Sequence, residues 1–226
     1  MIVEFINSRK ANTLNRNQID VIIDLALKNE DEPLIFASAL DGIFCAGADI
    51  DEFLDDQAHA EQTQRMLQMV EILRRRRGVV VSIVDGYCGG GGVLFPCVSD
   101  LTVASDRASF ACPEVKFGMF PGVVYSALAQ KIGRNAAFGM CLNGERIDAV
   151  AAREIGLVDN LPKPFVQAEA LTWVESRLDF LRYYRETRVL MEEGKTDHIP
   201  ELMHQNRNAD QTMGKIQSYL NSIRRR

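Results

Sequence analysis

Four consecutive glycines at positions 89–92 constrain this chain more than any other feature of its sequence. They follow an apolar β-branched run, residues 79–84, and an Asp85-Gly86 turn, and they precede a second apolar segment, residues 93–98. Glycine reaches every backbone conformation and lets another group approach the main chain closely. A strand, a glycine-rich turn and an apolar helix in this order aim backbone N–H groups at a negative charge. The pattern alone leaves open which negative charge that is.

The composition narrows the class of protein. A chain of 226 residues, 46% hydrophobic, is long enough for one large α/β domain with a well-buried core. A net charge of −5 argues against nucleic acid as the main partner. Five scattered cysteines without C-x-x-C spacing, with only three histidines, predict free thiols in a reducing cytosol and no structural metal site. Neither a signal peptide nor a membrane-spanning run is recognised, so we expect a cytoplasmic protein without a membrane partner.

Strand and helix patterns alternate along the first half of the chain and then become helical. Strands are predicted at residues 1–6, 34–37, 79–84, 101–104, 108–111 and 157–158, and helices at 18–28, 58–77, 123–132, 135–142, 149–155, 165–177, 179–193 and 209–225. This order predicts an α/β core over residues 1–160 and a helical C-terminal region over 161–226, packed on the core or on a neighbouring subunit. A basic cluster, residues 74–77, is interpreted mainly as a solvated helix end, with a phosphate-facing cluster as the alternative.

Two segments of the sequence carry most of a resemblance to a known protein family. The first is Phe44-Cys45-Ala46-Gly47-Ala48-Asp49-Ile50. The second, residues 86–122, includes Gly90-Gly91-Gly92, Asp100, Phe110, Pro113-Glu114, Gly118 and Pro121-Gly122. With further matches at residues 10–14, 143–147 and 151–158, the chain resembles the crotonase superfamily, also called the enoyl-CoA hydratase/isomerase family. The likeness covers most of the chain and is poorest at about residues 180–205.

The resemblance implies a fold, a substrate and an assembly. The fold is a spiral of ββα units with a C-terminal helical region involved in trimerisation, so a homotrimer or a dimer of trimers is expected. Members bind acyl thioesters of coenzyme A, which is part of the substrate, so no separate cofactor is expected. The thioester carbonyl lies in an oxyanion hole of two backbone N–H groups, which by position belong to Ala48 and Gly91. Such donors act more strongly on an enolate than on a neutral carbonyl, and they require only small residues that leave access.

One carboxylate is present where many hydratases of the family carry two. Glu114 matches the second family glutamate, whereas the position of the first, two residues after Gly92, is Leu94. Hydration is best served by two carboxylates, and a single one suits a proton shuttle. The site pattern is therefore similar to that of the Δ3-Δ2-enoyl-CoA isomerases. Leu94, Phe95 and Phe117 are expected to keep the site dry and to raise the pKa of Glu114.

The remaining candidates concern substrate binding. In the family, the loop that corresponds to residues 10–14 and the segment before Ala48 hold the nucleotide, and Lys10 is a candidate phosphate contact. Lys215 and residues 224–226 are further candidates, with solvated helix ends as an equally good interpretation. Asp49 is interpreted mainly as a helix cap. The predicted substrate-binding residues are Lys10, Ala11, Ala46, Gly47, Asp49, Ile50, Tyr87, Gly90, Leu94, Phe117 and Gly122.

Several other functions stay open at this point. The same platform supports other enolate chemistry, namely decarboxylases and dehydratases of polyketide assembly lines acting on carrier-protein thioesters, and carbon–carbon bond-forming synthases. A simple enoyl-CoA hydratase ranks lower because of Leu94. A non-catalytic family member that acts as a binding or accessory subunit is disfavoured by the retained Glu114 and the intact glycine run.

Overall fold

The structure is a computed structural model that describes residues 2–5, 11–208 and 212–218. Lys10 and residues 224–226, all predicted phosphate contacts, lie outside the described residues. The chain divides into two compact units, Met1–Leu178 and Asp179–Arg226.

Two sheets form the first unit. The first sheet is parallel, with the order β1 (Ile2–Phe5), β2 (Leu34–Ser38), β4 (Val80–Val84) and β6 (Leu101–Ala104). The second sheet has the order β3 (Ile43–Cys45), β5 (Tyr87–Gly89), β7 (Ser109–Ala111) and β8 (Ile147–Asp148), with β8 antiparallel to β7. After β2, β4 and β6 the chain passes from the first sheet to the second and then enters a helical segment. This repeated step confirms the predicted spiral of ββα units.

The stretch before the glycine run differs from the prediction in one respect. A single strand followed by a turn was expected, but the chain forms β4, turns at Asp85-Gly86 and adds β5 to the second sheet. Gly86 has φ 94°, and a Cβ there would collide with the backbone of Gly42. Only glycine fits such a corner, because an L side chain is strained at this φ and the neighbouring main chain leaves no room.

Helices cover the sheets of the first unit. They are α1 (Arg16–Lys28), α2 (Asp56–Arg75), α3 (Leu94–Val98), α4 (Gly122–Ile132), α5 (Arg134–Asn143), α6 (Ala149–Glu154) and α7 (Gln167–Glu175). Asn15 caps α1 through a capping box with Gln18, as expected of an Asn before an apolar stripe. In the core, the fully buried Phe95 of α3 stacks on Phe36 of β2 and Phe44 of β3, with ring centroids 4.7 and 6.1 Å apart. These rings join the two sheets below the glycine run.

One residue of the basic cluster at the end of α2, Arg76, departs from the interpretation as a solvated end, whereas the side chains of Arg75 and Arg77 are exposed. Arg76 is only 3% exposed. Its guanidinium donates to four backbone carbonyls, those of Asn29, Glu32, Gly78 and Val79, at 2.7–3.2 Å. Arg76 thus joins the ends of α1 and α2 to the start of β4. A buried guanidinium is tolerated here because its fork of N–H donors meets acceptors.

The end of the first unit also differs from the sequence reading. The predicted strand at residues 157–158 is wrong: Leu157 and Val158 both donate their N–H to the carbonyl of Ala152 and close the end of α6. The backbone N–H of Ala104 donates to Asn160 O at 3.0 Å, next to an isolated bridge between Val103 and Asn160. The predicted domain boundary after residue 160 therefore falls inside the first unit, which continues through α7.

The second unit contains α8 (Leu178–Glu192), α9 (Ile199–Asn208) and a further helical segment at residues 212–218. α8 agrees with the helix predicted at residues 179–193, and the segment 212–218 lies within the predicted helix 209–225, whose other residues fall outside the described part of the chain. α9 was not predicted. Among the helices of the described residues, none is long and apolar enough to cross a membrane.

Candidate functional site

Two glycine-containing segments lie in direct main-chain contact at the centre of the first unit. Gly47 follows β3 with φ 104°, and a Cβ on it would lie 2.8 Å from Gly89 O and 3.0 Å from Gly91 N. A Cβ on Gly92 would lie 2.5 Å from the carbonyl oxygen of Cys45. Side chains at these positions would separate the segments, since real Cβ contacts rarely come so close. The glycines thus hold the predicted donors Ala48 and Gly91 next to each other.

The backbone N–H groups of Ala48 and Gly91 lie outside the hydrogen bonds that the bridge and the 3-10 turn around them make. Leu14 forms a parallel bridge with Ala48: Leu14 N–H donates to Gly47 O at 2.7 Å, and Leu14 O accepts from Asp49 N–H at 3.0 Å. In such a bridge the N–H of Ala48 points away from Leu14. Gly91 lies in the first turn of the 3-10 helix Gly90–Val93, where backbone N–H groups lack an intrahelical acceptor. Ala48 N lies 3.3 Å from the position of a Cβ on Gly91, so both donors border one small space.

The helical segment behind the glycine run is short. The glycines form the single 3-10 turn Gly90–Val93, and α3, which follows it, has only five residues. Few peptide dipoles align over such a length, so the two local N–H groups, not a helix macrodipole, dominate the electrostatics.

The carboxyl group of Glu114 lies against the glycine run. Pro113 and Glu114 begin the 3-10 helix Pro113–Phe117, which ends at Gly118 with φ 73°. Glu114 Oε1 lies 2.9 Å from the position of a Cβ on Gly90, which has φ 50°. Only glycine at position 90 leaves room for this carboxylate. Glu114 is therefore next to the residue that precedes the predicted donor Gly91.

The surroundings of Glu114 favour its protonated form more than water does. Burial raises the pKa of this carboxyl group, an effect partly offset by a hydrogen bond from its own backbone N–H. Its Oε2 is buried and has no hydrogen-bond partner among the described residues. Leu94 and Phe95 are fully buried in the core, as expected of apolar residues near a dry site. Phe117 is 64% exposed, so its predicted role in shielding Glu114 is wrong for the isolated chain, because its side chain leaves the short helix toward solvent.

Tyr87 lies beside the glycine run and has a partner that the sequence did not reveal. Its hydroxyl end occupies the space that a Cβ on Gly89 would need. The guanidinium of Arg146 stacks over the Tyr87 ring, 4.2 Å from its centroid. Burial raises the pKa of Tyr87, so its hydroxyl stays protonated. Arg146 was missed because it reaches the site through the pairing of β8 with β7, which the sequence pattern did not predict.

The other predicted substrate-binding residues lie in the loop of Ala11, in the segment around Ala48 and at the start of α4. Ala11, with φ 52°, accepts a hydrogen bond from Ala46 N–H at 3.1 Å, so its loop runs along the segment before Ala48. Asp49 caps the 3-10 helix Ile50–Leu54 by accepting from Asp51 N–H at 3.3 Å, which confirms its interpretation as a cap. Ile50 is largely exposed. Gly122 begins α4, and a Cβ there would meet no atom of the described residues within 4 Å.

The cysteines of the first unit are buried thiols. All five are free, and burial raises the pKa of Cys45 and Cys97 to about 12. Cys112, next to Pro113, also has a raised pKa because its thiol is hydrogen-bonded to that of Cys141 and is buried. Protonated thiols are poor nucleophiles and poor metal ligands. Within residues 2–5, 11–208 and 212–218, no cluster of three or more His, Cys, Asp or Glu could hold a metal ion.

Known proteins share both the sequence pattern and the fold. The family model described as enoyl-CoA hydratase/isomerase matches residues 1–220. A probable enoyl-CoA hydratase of Mycobacterium bovis is 32% identical over 154 residues, which cover 66% of this chain and 60% of the relative. The mitochondrial enoyl-CoA hydratase of Pongo abelii is 29% identical over 179 residues, covering 77% and 62%. The chain thus spans about 60% of the length of these curated relatives.

The solved structures agree on the fold. The crystal structure of human enoyl coenzyme A hydratase domain-containing protein 3 superimposes with a TM-score of 0.83 and 24% identity, covering 98% of this chain and 93% of the other. The enoyl-CoA hydratase of Bacillus anthracis gives a TM-score of 0.81 at 19% identity, covering 98% and 92%. The two staggered sheets, with the glycine-lined space at their contact, are thus those of a crotonase fold. The chain belongs to the enoyl-CoA hydratase/isomerase family.

Proposed function

We propose that the protein moves the double bond of a 3-enoyl-CoA thioester to the 2-position by proton transfer through Glu114. One observation carries this proposal. The Glu114 carboxyl group lies beside Gly90, while its Oε2 is buried without a hydrogen-bond partner among the described residues. A carboxylate with a raised pKa, held next to two adjacent backbone donors, is suited to remove a proton α to a carbonyl.

The proposed reaction needs no external reactant. The thioester oxygen accepts hydrogen bonds from Ala48 and Gly91 N–H, and Glu114 removes a proton from the α-carbon. The electron pair of the broken C–H bond delocalises into a dienolate, whose negative charge falls largely on that oxygen. The protonated Glu114 then returns the proton to the γ-carbon, which leaves the conjugated 2-enoyl thioester and restores the carboxylate. In other enzymes, loss of a donor of this kind raises the barrier by about 3–4 kcal/mol.

Hydration is the second candidate, because the named relatives are enoyl-CoA hydratases. The residues of this chain favour isomerisation. Addition of water is served by one carboxylate that activates the water and another that handles the α-proton. The position that the family resemblance assigns to the additional glutamate is Leu94, which is fully buried and apolar. A lone Glu114 is sufficient for a proton shuttle between the α- and γ-carbons.

The decisive experiment follows both reactions in the same sample. The protein is incubated with 3-hexenoyl-CoA, and with the same acyl group on a carrier protein, while the absorbance of the conjugated thioester is recorded. Loss of absorbance from 2-hexenoyl-CoA reports hydration. We expect the wild type to isomerise 3-hexenoyl-CoA. Glu114→Gln should reduce the rate at least 1,000-fold, on the order of the effect of removing a catalytic base. The exposed control Glu145→Gln should leave the rate unchanged. Hydration without isomerisation would refute the proposal, and a gain of hydration in Leu94→Glu would support the role given to position 94.

The assembly and location of the protein are also proposals. The resemblance favours a homotrimer or a dimer of trimers, and exposed aromatic side chains such as Phe120 and Phe138 support an assembled protein. Sedimentation velocity of the full chain tests this, since a monomer at micromolar concentration would contradict it. A cytoplasmic location rests on the composition, and cell fractionation tests it.

A further inference from the structure

Helix α2 contacts both halves of the space between Ala48 and Gly91. Gln62 and Met66 lie one turn apart on the buried face of this helix, at 1% and 6% exposure. Gln62 reaches the segment that contains Ala48, and Met66 reaches the glycine run. These two contacts are independent of the loops that hold Glu114.

Gln62 holds the main chain at Leu14, which bridges to Ala48, and at Asp49, which follows Ala48. Its Nε2 donates to Leu14 O at 2.9 Å and to Asp49 O at 3.4 Å. Because both partners are carbonyl oxygens, the NH₂ end of the amide must face them. Leu14 is the residue that bridges to Ala48, and Asp49 follows Ala48 directly, so the amide holds the main chain beside and after Ala48 in place.

Met66 packs against the glycine run on the Gly91 side of this space. Its terminal methyl carbon lies 3.1 Å from the position of a Cβ on Gly91, and Ala48 N lies 3.3 Å from that same position. One buried helix face therefore supports the main chain at both donors. Preorganised donors are effective only when their separation and direction are held before the charge develops.

We infer that Gln62 is a positioning residue for the oxyanion hole, with Met66 as its apolar counterpart. This inference rests on the proposed function, because it assigns Gln62 to the enolate-forming step of that reaction. Gln62 does not touch the substrate. It acts through the peptide groups that flank Ala48, and its loss misaligns one donor without removing it. Misplacement of a reacting or stabilising group by about 1 Å costs on the order of 100-fold in rate.

The test replaces the amide by an isosteric side chain without a donor. Gln62→Met is compared with Gln68→Met, the same substitution on the exposed face of α2. Enolate formation is measured directly as exchange of the α-protons of butyryl-CoA in D₂O, followed by NMR, which does not depend on double-bond migration. We expect kcat for exchange to fall roughly 10- to 100-fold in Gln62→Met, with KM changed less than about threefold, because thioester binding is retained while the transition state is not. Gln68→Met should match the wild type.

The outcomes separate the inference from the proposed function. Exchange at the wild-type rate in Gln62→Met, a loss carried only by KM, or an equal loss in Gln68→Met would overturn the positioning role. If the wild type isomerises and exchanges normally, such a result leaves the proposed function standing. A wild-type protein that neither isomerises 3-hexenoyl-CoA nor exchanges α-protons overturns both, and for one that isomerises without exchange the kcat of isomerisation is compared in the same variants. Should Gln62→Met fail to fold, Gln62→Asn carries the test, since its amide is too short to reach both carbonyls and the same fall in kcat is expected.

Discussion

Replacing Gly91 by alanine tests the geometry of the site with a single methyl group. Gly91 does not have a positive φ, so its backbone accepts alanine without strain. The new Cβ would lie 3.1 Å from the methyl carbon of Met66, which can shift because it is the end of a flexible side chain. The same Cβ would lie 3.3 Å from Ala48 N, within the space proposed for the thioester oxygen.

The expected effects on stability and on activity differ widely. Loss of unfolded-state entropy favours alanine over glycine by about 0.4–1 kcal/mol, and the tight contacts oppose it, so we expect a small net change. Exclusion of the oxygen from one donor should lower kcat by about 100- to 1,000-fold, which corresponds to about 2.7–4 kcal/mol. The rate of α-proton exchange with butyryl-CoA measures the activity, and thermal unfolding measures the stability.

Gly139→Ala provides the matched control. Gly139 lies within α5, and a Cβ there meets no atom within 4 Å. Replacing a glycine inside a helix by alanine should stabilise the fold by about 0.8–1 kcal/mol, and the activity should stay unchanged. A Gly91→Ala protein that folds and turns over at the wild-type rate would refute the placement of the hole between Ala48 and Gly91.

Two further predictions concern titration and the buried guanidinium. Because Glu114 must be ionised to act as a base and burial raises its pKa, kcat/KM for isomerisation should rise with pH through a midpoint above that of an ordinary glutamate; a midpoint at or below the ordinary value contradicts this. Arg76→Met should lower the free energy of unfolding by about 3 kcal/mol in urea titrations, because four backbone carbonyls, two of them fully buried, lose a charged donor. The exposed Arg75→Met should change it by less than about 0.5 kcal/mol, and equal losses in the two variants would argue against the role of Arg76.

Much of the fold could be predicted from local pattern. The run before Asp85 is β-branched because β4 is buried on both faces, and that composition identifies a strand by itself. The short strands β3, β5 and β8 were missed. Tyr87-Cys88-Gly89 has no strand-like alternation, and β8 has only two residues, so their pairing with β7 is decided by the tertiary structure.

The site was predictable only where it is made of main chain and a matched carboxylate. The family resemblance pointed to Ala48, Gly91 and Glu114, and the structure places the segments that carry them together. No sequence pattern indicated the role of Gln62, because its hydrogen-bond partners Leu14 and Asp49 are 48 and 13 positions away in the sequence. Arg76 looked like one of several surface cations, since burial of one member of a charged cluster has no local pattern.

The Ala48 half of the proposed oxyanion hole is a backbone N–H group, so it does not depend on the identity of a side chain. Alanine scanning passes over position 48, because the residue is already alanine, and its N–H would survive almost any codon change. Among the encoded residues only proline removes the hydrogen, and it also fixes φ and adds a ring, whereas the others can alter the donor only through bulk that pushes the peptide aside. Removing the hydrogen while keeping the alanine side chain requires chemistry outside the genetic code, such as an ester in place of the amide between Gly47 and Ala48 in a semisynthetic protein.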